Sequence, residues 1–240
     1  VAKEVFHQID SSLAFKTFVK DGAQVKSGDV VIELHGLARS ILSGERLALN
    51  FMQRMSGIAT RTAEIVQILD GTNTQVLDTR KTTPGLRGFE KWAVSIGGGV
   101  NHRMGLYDMI LLKDNHVDYA GGMTEALKKV ADYQKTRHDT LPTLPLVIET
   151  RSFQEIEDAI AASQKAGIVI ERILLDNFGP EKVAEAVESY GHLVTLEASG
   201  GITPENLNGY RETGVDFVSM GYMTHSVKSL DLSLKSSPNV

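Results

Sequence analysis

The sequence predicts an α/β fold: an incomplete (β/α) barrel of about six parallel strands, preceded by a small β-rich unit. Two observations carry this expectation. From Thr74 onward, short apolar runs alternate with loops rich in polar residues and glycine and with amphipathic helical stretches, the pattern of a parallel sheet. The runs end in Asp78, Lys113, Glu149, Asp176, Glu197 and Gly221, so all but the last carry a charge at the carboxyl end. A doubly wound sheet gathers its chemistry mainly at one switch point, whereas a barrel brings every strand's carboxyl end to one mouth. The visible βα units fall short of the eight of a full barrel, so the barrel is expected to be incomplete or irregular.

Taken in order, residues 1–37 read as a small β-rich unit, and 38–240 as the barrel domain with its preceding helices. Within the first unit, FKTFVKDGAQVKSGDVVIELHG holds two alternating strands around Thr17–Val19 and Val30–Leu34, split by a loop with two glycine turns. Two strands alone are too few to be stable, so this unit packs on the large domain or lacks residues upstream. The absence of an initial methionine fits the second expectation. From Ala38 to Leu69, apolar residues recur at helical spacing; Ser56-Gly57 is the expected break between two helices.

The strands follow at Thr74–Leu77, Met109–Leu112, Leu146–Ile148, Arg172–Leu175, Val194–Leu196 and Phe217–Met220. Between them, helices are expected near Phe89–Ile96, Met123–Thr136, Phe153–Ala166, Pro180–Tyr190 and Pro204–Thr213. Thr203-Pro204-Glu205 reads as an N-cap followed by proline at the first helical position.

Composition narrows the function. With 240 residues, 42% hydrophobic and 23% charged, the chain can bury roughly 70–75% of its unfolded surface. No cysteine is present, which excludes disulfides, thiolate nucleophiles and zinc–thiolate sites; a reducing cytoplasm is the expected location. A net charge of −5 argues against nucleic-acid binding, which needs accumulated Lys and Arg on one face. Apolar runs fall well short of the ~20 residues that span a bilayer, and VAKEVFHQID lacks the apolar core of a signal peptide.

Against this acidic background, Asp78–His116 concentrates Arg80, Lys81, Arg87, Arg103 and Lys113 with two histidines among Gly, Pro, Thr and Asn. A solvated helix face would intersperse such charges with Glu and Asp. Loops with unpaired cations face anionic ligands, and arginine can grip a carboxylate or phosphate in a bidentate fork. On these residues alone, Arg80-Lys81 could equally be a surface turn, and His102 a satisfied structural histidine. Glu149 and Asp176 could simply pair with the cations. Ser199-Gly200-Gly201 after the penultimate strand, and Gly221 after the last, stand where barrels hold phosphate, though a bare SGG is a weak signal. No Ser-His-Asp set, Walker loop or dinucleotide fingerprint is present.

The motifs ERLALNFMQRMSGIATRT, DTRKTTPGLR, GGGVNHRMGLYD, KDNHV, LLDNF and ASGGI resemble, in order, those of the quinolinate phosphoribosyltransferase family, from about Gly36 to the C-terminus. The resemblance implies an α/β barrel short of the full strand count, joined to an N-terminal sandwich longer than the one here. It implies transfer of the phosphoribosyl group of 5-phosphoribosyl-1-pyrophosphate (PRPP) to quinolinate, with loss of CO₂, to give nicotinate mononucleotide. Residues matching Arg80, His102, Arg103 and Lys113 surround quinolinate in that family, with Lys81 near the substrates' anionic groups. Those matching Glu149 and Asp176 serve PRPP and, indirectly, Mg²⁺; Ser199, Gly200, Gly201, Gly221 and His225 match the holders of the ribose 5-phosphate. Catalytic roles fall on Lys81, Lys113, Glu149 and Asp176. Arg46 matches an arginine that reaches the neighbouring subunit's site, implying a homodimer or a higher oligomer built on it.

The nearest rival is a related phosphoribosyltransferase acting on nicotinate or another base, which would need fewer cations. A barrel aldolase or isomerase using Lys113 in a Schiff base, and an anion-binding protein without activity, are rivals from other classes.

Overall fold

The computed structural model describes residues 1–138 and 142–236. It begins with α1 (Ala2–Ile9), then the antiparallel hairpin of β1 (Ala14–Thr17) and β2 (Ile32–His35). The expected strands are there, displaced by up to three residues. Helix α1 was not foreseen, because two turns are too short to display a helical period against a background of loop residues. Its apolar face buries Ala2 and Phe6 against Ala48, with Phe15 and Leu34 packed alongside. The small unit therefore closes its core on the next helix, as a two-stranded sheet requires.

That helix, α2 (Ala38–Ile68), is a single element of 31 residues, which corrects the break expected at Ser56-Gly57. Gly57 is buried in the helix, and a Cβ there would run into the carbonyl oxygen of Lys228. The C-terminal segment crosses α2 at this point, with Leu230 N donating to Gln53 O (3.0 Å) and Gln53 Nε2 to Leu232 O (2.7 Å). Glycine here provides close approach rather than a helix stop. Gly57→Ala should therefore destabilise the fold by about 1–2 kcal/mol despite alanine's better helix propensity, since overpacking against backbone outweighs the gain. A denaturant midpoint equal to or above wild type would contradict this.

After α2 come β3 (Gln75–Leu77), α3 (Arg87–Ile96), β4 (Ile110–Leu112), α4 (Asp114–Ala120) and α5 (Met123–His138). They are followed by β5 (Leu146–Thr150), α6 (Phe153–Ala166), β6 (Arg172–Asp176), α7 (Pro180–Tyr190) and β7 (Thr195–Ser199). Then come α8 (Pro204–Leu207), a 3₁₀ turn over Asn208–Thr213, β8 (Phe217–Ser219) and α9 (Tyr222–His225). Local chemistry sets several boundaries. Ser152 accepts from Glu155 N at the start of α6, and Gly167 ends it at φ 67°, an N-cap and a left-handed C-cap. Pro180 and Pro204 open α7 and α8, where a missing N–H costs nothing. Helices α4 and α9 were not foreseen; α4 starts directly behind Lys113, whose backbone N–H donates to His116 Nδ1 (3.0 Å).

All six barrel strands are parallel, in the order β3-β8-β7-β6-β5-β4, as the alternation predicted. The two outermost strands, β3 and β4, do not pair. Instead Val100 runs beside β3, donating to Val76 O (2.8 Å) and accepting from Asp78 N (3.1 Å), and the Arg103 guanidinium donates to Met109 O (3.2 Å) just before β4. Segment 100–109 thus occupies the seam where a closed barrel would have paired strands. Val147, Ile148, Ile173, Leu175, Leu196, Ala198 and Val218 are fully buried, the near-continuous apolar strands of a sheet covered on both faces. No described helix is long and apolar enough to cross a membrane.

Candidate active site

A parallel sheet places every strand's carboxyl end on one edge, and the loops there bear most of the expected residues. At β4 and β5, Lys113 Nζ donates to Glu149 Oε2 at 2.9 Å. The register of Leu112 beside Ile148 makes these two residues neighbours. Lys113 is about half exposed (49%) while Glu149 is nearly buried (11%), so the pair presents an ammonium group to solvent above a covered carboxylate.

At β6 and β7, Asp176 stands beside Ser199. Asn177 Nδ2 donates to Asp176 Oδ2 (2.8 Å), and Asn177 N to Ser199 O (2.8 Å). Asn177 is the one non-glycine residue among those described with positive φ (59°), and asparagine tolerates that conformation. Gly200 has φ 98°, and a Cβ there would strike the Asn177 side chain. The Asp176-Asn177 and Ser199-Gly200 turns therefore interlock. Asn177 was overlooked although it lies in the LLDNF motif; an asparagine directly after a strand-end aspartate was the available signal.

At β8 and β3, Gly221 sits against Lys81 and His225, each 3.0 Å from where its Cβ would be. Thr224 Oγ1 donates to Lys81 O (2.8 Å), which fixes the backbone of the Arg80-Lys81 turn. That turn is braced from outside by a buried carboxylate, Glu90, which accepts from Thr83 N (3.0 Å), Thr83 Oγ1 (2.8 Å) and Arg54 Nη2 (2.8 Å). Arg54 also donates to Thr224 O (2.6 Å) and Val227 O (3.1 Å). Neither Arg54 nor Glu90 was singled out, since a charge within an amphipathic helix reads as surface until its tertiary neighbours are known.

Two strand-end charges are not mouth groups, which corrects the reading that placed all of them there. Asp78 is fully buried against Lys91 of α3, and it also accepts from His102 N (2.8 Å). The Asn101 amide, turned to suit its neighbours, donates to Asp78 Oδ2 (2.7 Å). Burial pushes the Asp78 carboxyl up and the Lys91 amine down, each against the pull of its partner. Glu197 lies in the middle of β7, where it accepts from Arg172 Nη1 (2.8 Å). Both carboxylates belong to the interior because apolar neighbours surround them and buried cations answer them.

His102 and Arg103 sit over these interior groups, on the segment that fills the seam. Arg103 is 9% exposed. Burial depresses its pKa, and the Arg80 guanidinium depresses it further, partly opposed by Asp108. Like charges on neighbouring loops of this edge repel, and an anion between them would relieve that repulsion. Arg46, in contrast, is exposed on α2 between Gly44 and Ala48, which pack toward α1; among the described residues it makes no hydrogen bond or ion pair.

The edge of the sheet therefore carries two arginines, a lysine–glutamate pair, an aspartate and a glycine loop. The chain matches the family models described as "Quinolinate phosphoribosyl transferase, C-terminal domain" over residues 58–235 and "Quinolinate phosphoribosyl transferase, N-terminal domain" over residues 1–56. It is 44% identical over 234 residues to the probable nicotinate-nucleotide pyrophosphorylase (carboxylating) of Bacillus subtilis (strain 168), covering 98% of this chain and 77% of that protein. It is 42% identical over 244 residues to the chloroplastic nicotinate-nucleotide pyrophosphorylase (carboxylating) of Oryza sativa subsp. japonica, covering 98% and 64%. Among solved structures, NadC from Streptococcus pyogenes superposes with a TM-score of 0.86 at 39% identity, covering 98% of this chain and 79% of that one. The nicotinate-nucleotide pyrophosphorylase of Francisella tularensis gives 0.88 at 38%, covering 97% and 78%. With both of its parts matched and relatives this similar along nearly its whole length, the chain belongs to the quinolinate phosphoribosyltransferase family.

Proposed function

We propose that this chain transfers the phosphoribosyl group of PRPP to quinolinate with decarboxylation, a step of NAD biosynthesis. The observation that carries the reading is the placement of Arg80 just after β3, Arg103 on the segment between β3 and β4, and Lys113 at the end of β4, all on one edge of a sheet that matches the quinolinate phosphoribosyltransferase model. Cations held together in this way favour a ligand with more than one negative charge. Quinolinate brings two carboxylates on one ring, and a monocarboxylate such as nicotinate would leave part of that positive charge unanswered. In this reading Arg80, Arg103 and Lys113 hold the carboxylates over His102, with Lys81 at the boundary between the two substrates.

The PRPP half falls to the opposite side of the same edge. Ser199, Gly200 and Gly201 would cradle the 5-phosphate with backbone N–H groups, next to Gly221 and His225. Glu149 and Asp176 face the ribose hydroxyls and pyrophosphate. Among the described residues no cluster of three metal-ligating side chains is found. Two carboxylates on neighbouring strands suit Mg²⁺ that takes its remaining oxygens from pyrophosphate and water, and Mg²⁺ would supply charge neutralisation of the leaving group.

The chemistry needs position more than a nucleophile. The pyridine nitrogen attacks the ribose C1 carbon as the bond to pyrophosphate breaks, through a state with positive charge spread over C1 and the ring oxygen. Fixed carboxylates beside the ribose stabilise that charge, and holding both substrates in line removes the entropy of encounter. Once the nitrogen is cationic, it stabilises the electron pair left when the adjacent carboxylate departs as CO₂, and a proton takes its place.

The division of the site is testable through Asp176. Asp176→Asn should weaken PRPP binding about tenfold or more while changing quinolinate binding little, because one charge-assisted hydrogen bond is lost on the ribose side alone. Calorimetry on each ligand separately reads this; equal losses would mean that Asp176 orders the whole edge.

Arg46 is assigned across the interface of a two-fold dimer, where its exposure and lack of partners find a purpose. Arg46→Ala and Arg80→Ala should each be inactive alone. Mixed under conditions of subunit exchange, they should recover up to about a quarter of wild-type activity, since half of randomly paired dimers carry one intact site of two. No recovery, with exchange verified by mass spectrometry, would place Arg46 in its own subunit's site or in none.

A further inference from the structure

The inner face of the sheet contains a buried charged pair that the proposed reaction does not use. Leu196, Glu197 and Ala198 of β7 are all fully buried, and strand alternation sends Glu197 to the face opposite its two apolar neighbours. There its Oε2 accepts from Arg172 Nη1 at 2.8 Å, and the Arg172 guanidinium lies 4.2 Å over the Phe217 ring. Arg172 and Glu197 are both buried, the latter with no exposed surface. Taking such a pair out of water is costly, and apolar residues of similar size serve stability as well or better. Its retention calls for a role beyond stability.

The third member of the group supplies one. His102 Nε2 lies 3.5 Å from the same oxygen, Glu197 Oε2, with the imidazole almost wholly covered. On the other side of the ring, Nδ1 accepts from Arg103 N at 2.7 Å. The two contacts together determine the proton's place: Nδ1 must offer its lone pair to the backbone N–H, and Nε2 must turn an N–H toward a carboxylate that can only accept. The charged groups around the ring are Glu197 with Arg172 behind it, Asp78 and Lys91 at the His102 backbone, and Arg103 next in the chain. The Arg172 guanidinium, donating at 2.8 Å, holds the Glu197 carboxyl in its ionised form.

We propose that Glu197 is a positioning residue for quinolinate: held by Arg172, it faces the His102 Nε2–H and locks the imidazole in that tautomer, and through the Nδ1 contact it fixes the backbone from which the Arg103 guanidinium projects. The proposal rests on the phosphoribosyl-transfer reading above and adds a residue that lies beneath the substrate without touching it. It also explains why a seam segment that replaces strand pairing can carry substrate-binding groups. That segment is anchored from below at two points, Asp78–Lys91 under His102's backbone and Glu197–Arg172 under its ring.

Two measurements decide it. In wild-type protein with ¹⁵N-labelled histidine, with His102→Asn used for assignment, ring spectra near neutral pH should show a pyrrole-type Nε2 and a pyridine-type Nδ1 for His102. A doubly protonated ring or the opposite tautomer would overturn the proposal. In the second, Glu197→Met is made together with Arg172→Met, so that no unpaired charge is left buried and the fold survives. Quinolinate binding should fall about tenfold or more by calorimetry, with PRPP binding within about twofold, as expected for one misaligned charge-assisted contact. Glu197→Gln alone, which keeps an acceptor, should lose less. Unchanged quinolinate affinity in the double variant would overturn the proposal, as would equal losses for both ligands, which would mark a merely structural role. Failure of wild-type protein to bind quinolinate at all would overturn the functional reading and this role with it, while the ring spectra would still decide the tautomer.

Discussion

Lys113→Ala is expected to lower kcat by about 10²–10³-fold or more while leaving the fold intact. Its ammonium group is half exposed at the end of β4, bonded to Glu149 at 2.9 Å, and a pair whose cation stands in solvent contributes little to stability, about 1 kcal/mol. Its value lies in being fixed on rigid strand ends, where a preorganised charge acts on the reacting groups without reorganising. Removal of one such donor typically has an effect of that size. The variant should unfold at nearly the wild-type denaturant concentration, which separates loss of function from loss of structure. Near-normal steady-state activity would contradict the assignment, and so would borohydride trapping of a phosphorylated sugar on Lys113, since the proposed reaction forms no Schiff base.

Lys91→Met should produce the largest loss of stability of any single change considered, about 3–5 kcal/mol, because it leaves Asp78 charged and buried without its cation. The Lys91 ammonium also donates to His102 O (3.0 Å), and Asp78 accepts from His102 N (2.8 Å), so the loss is not confined to one pair. Segment 101–103 loses its anchor, and quinolinate affinity should fall even at temperatures where the variant remains folded. Replacing both partners, Asp78→Leu with Lys91→Met, should cost less than the sum of the single changes, as coupled neighbours do. Denaturant unfolding of the three variants checks this; a shift below about 1 kcal/mol for Lys91→Met would show that the interior pair is not what holds the segment.

Much of this was legible in the sequence because it is local. Strand–helix alternation gave all six parallel strands, with α6 and α7 at their observed limits, since each helix has its own cap, proline or glycine. What failed were features that depend on distant chain. Gly57 looked like a break because the Lys228 carbonyl that needs its missing side chain lies far along the sequence. Asp78 and Glu197 looked like mouth charges because a strand-end carboxylate reads the same whether it faces solvent or a buried lysine or arginine. Lys91 and Glu90, adjacent on α3, carry no sequence signal that sets them apart from surface charges, yet both are buried. The site was legible through its motifs more than its physics: the cations of Asp78–His116 announced an anion, and only the resemblance named it.

Turnover gives the sharpest test of phosphoribosyl transfer to quinolinate. The protein is mixed with PRPP, Mg²⁺ and quinolinate labelled in the carboxylate next to the ring nitrogen, and pyrophosphate, labelled CO₂ and nicotinate mononucleotide are followed together. Release of all three in equal amounts is expected, dependent on both substrates and absent when nicotinate replaces quinolinate. Binding of quinolinate without consumption of PRPP, or turnover of nicotinate in its place, would contradict it.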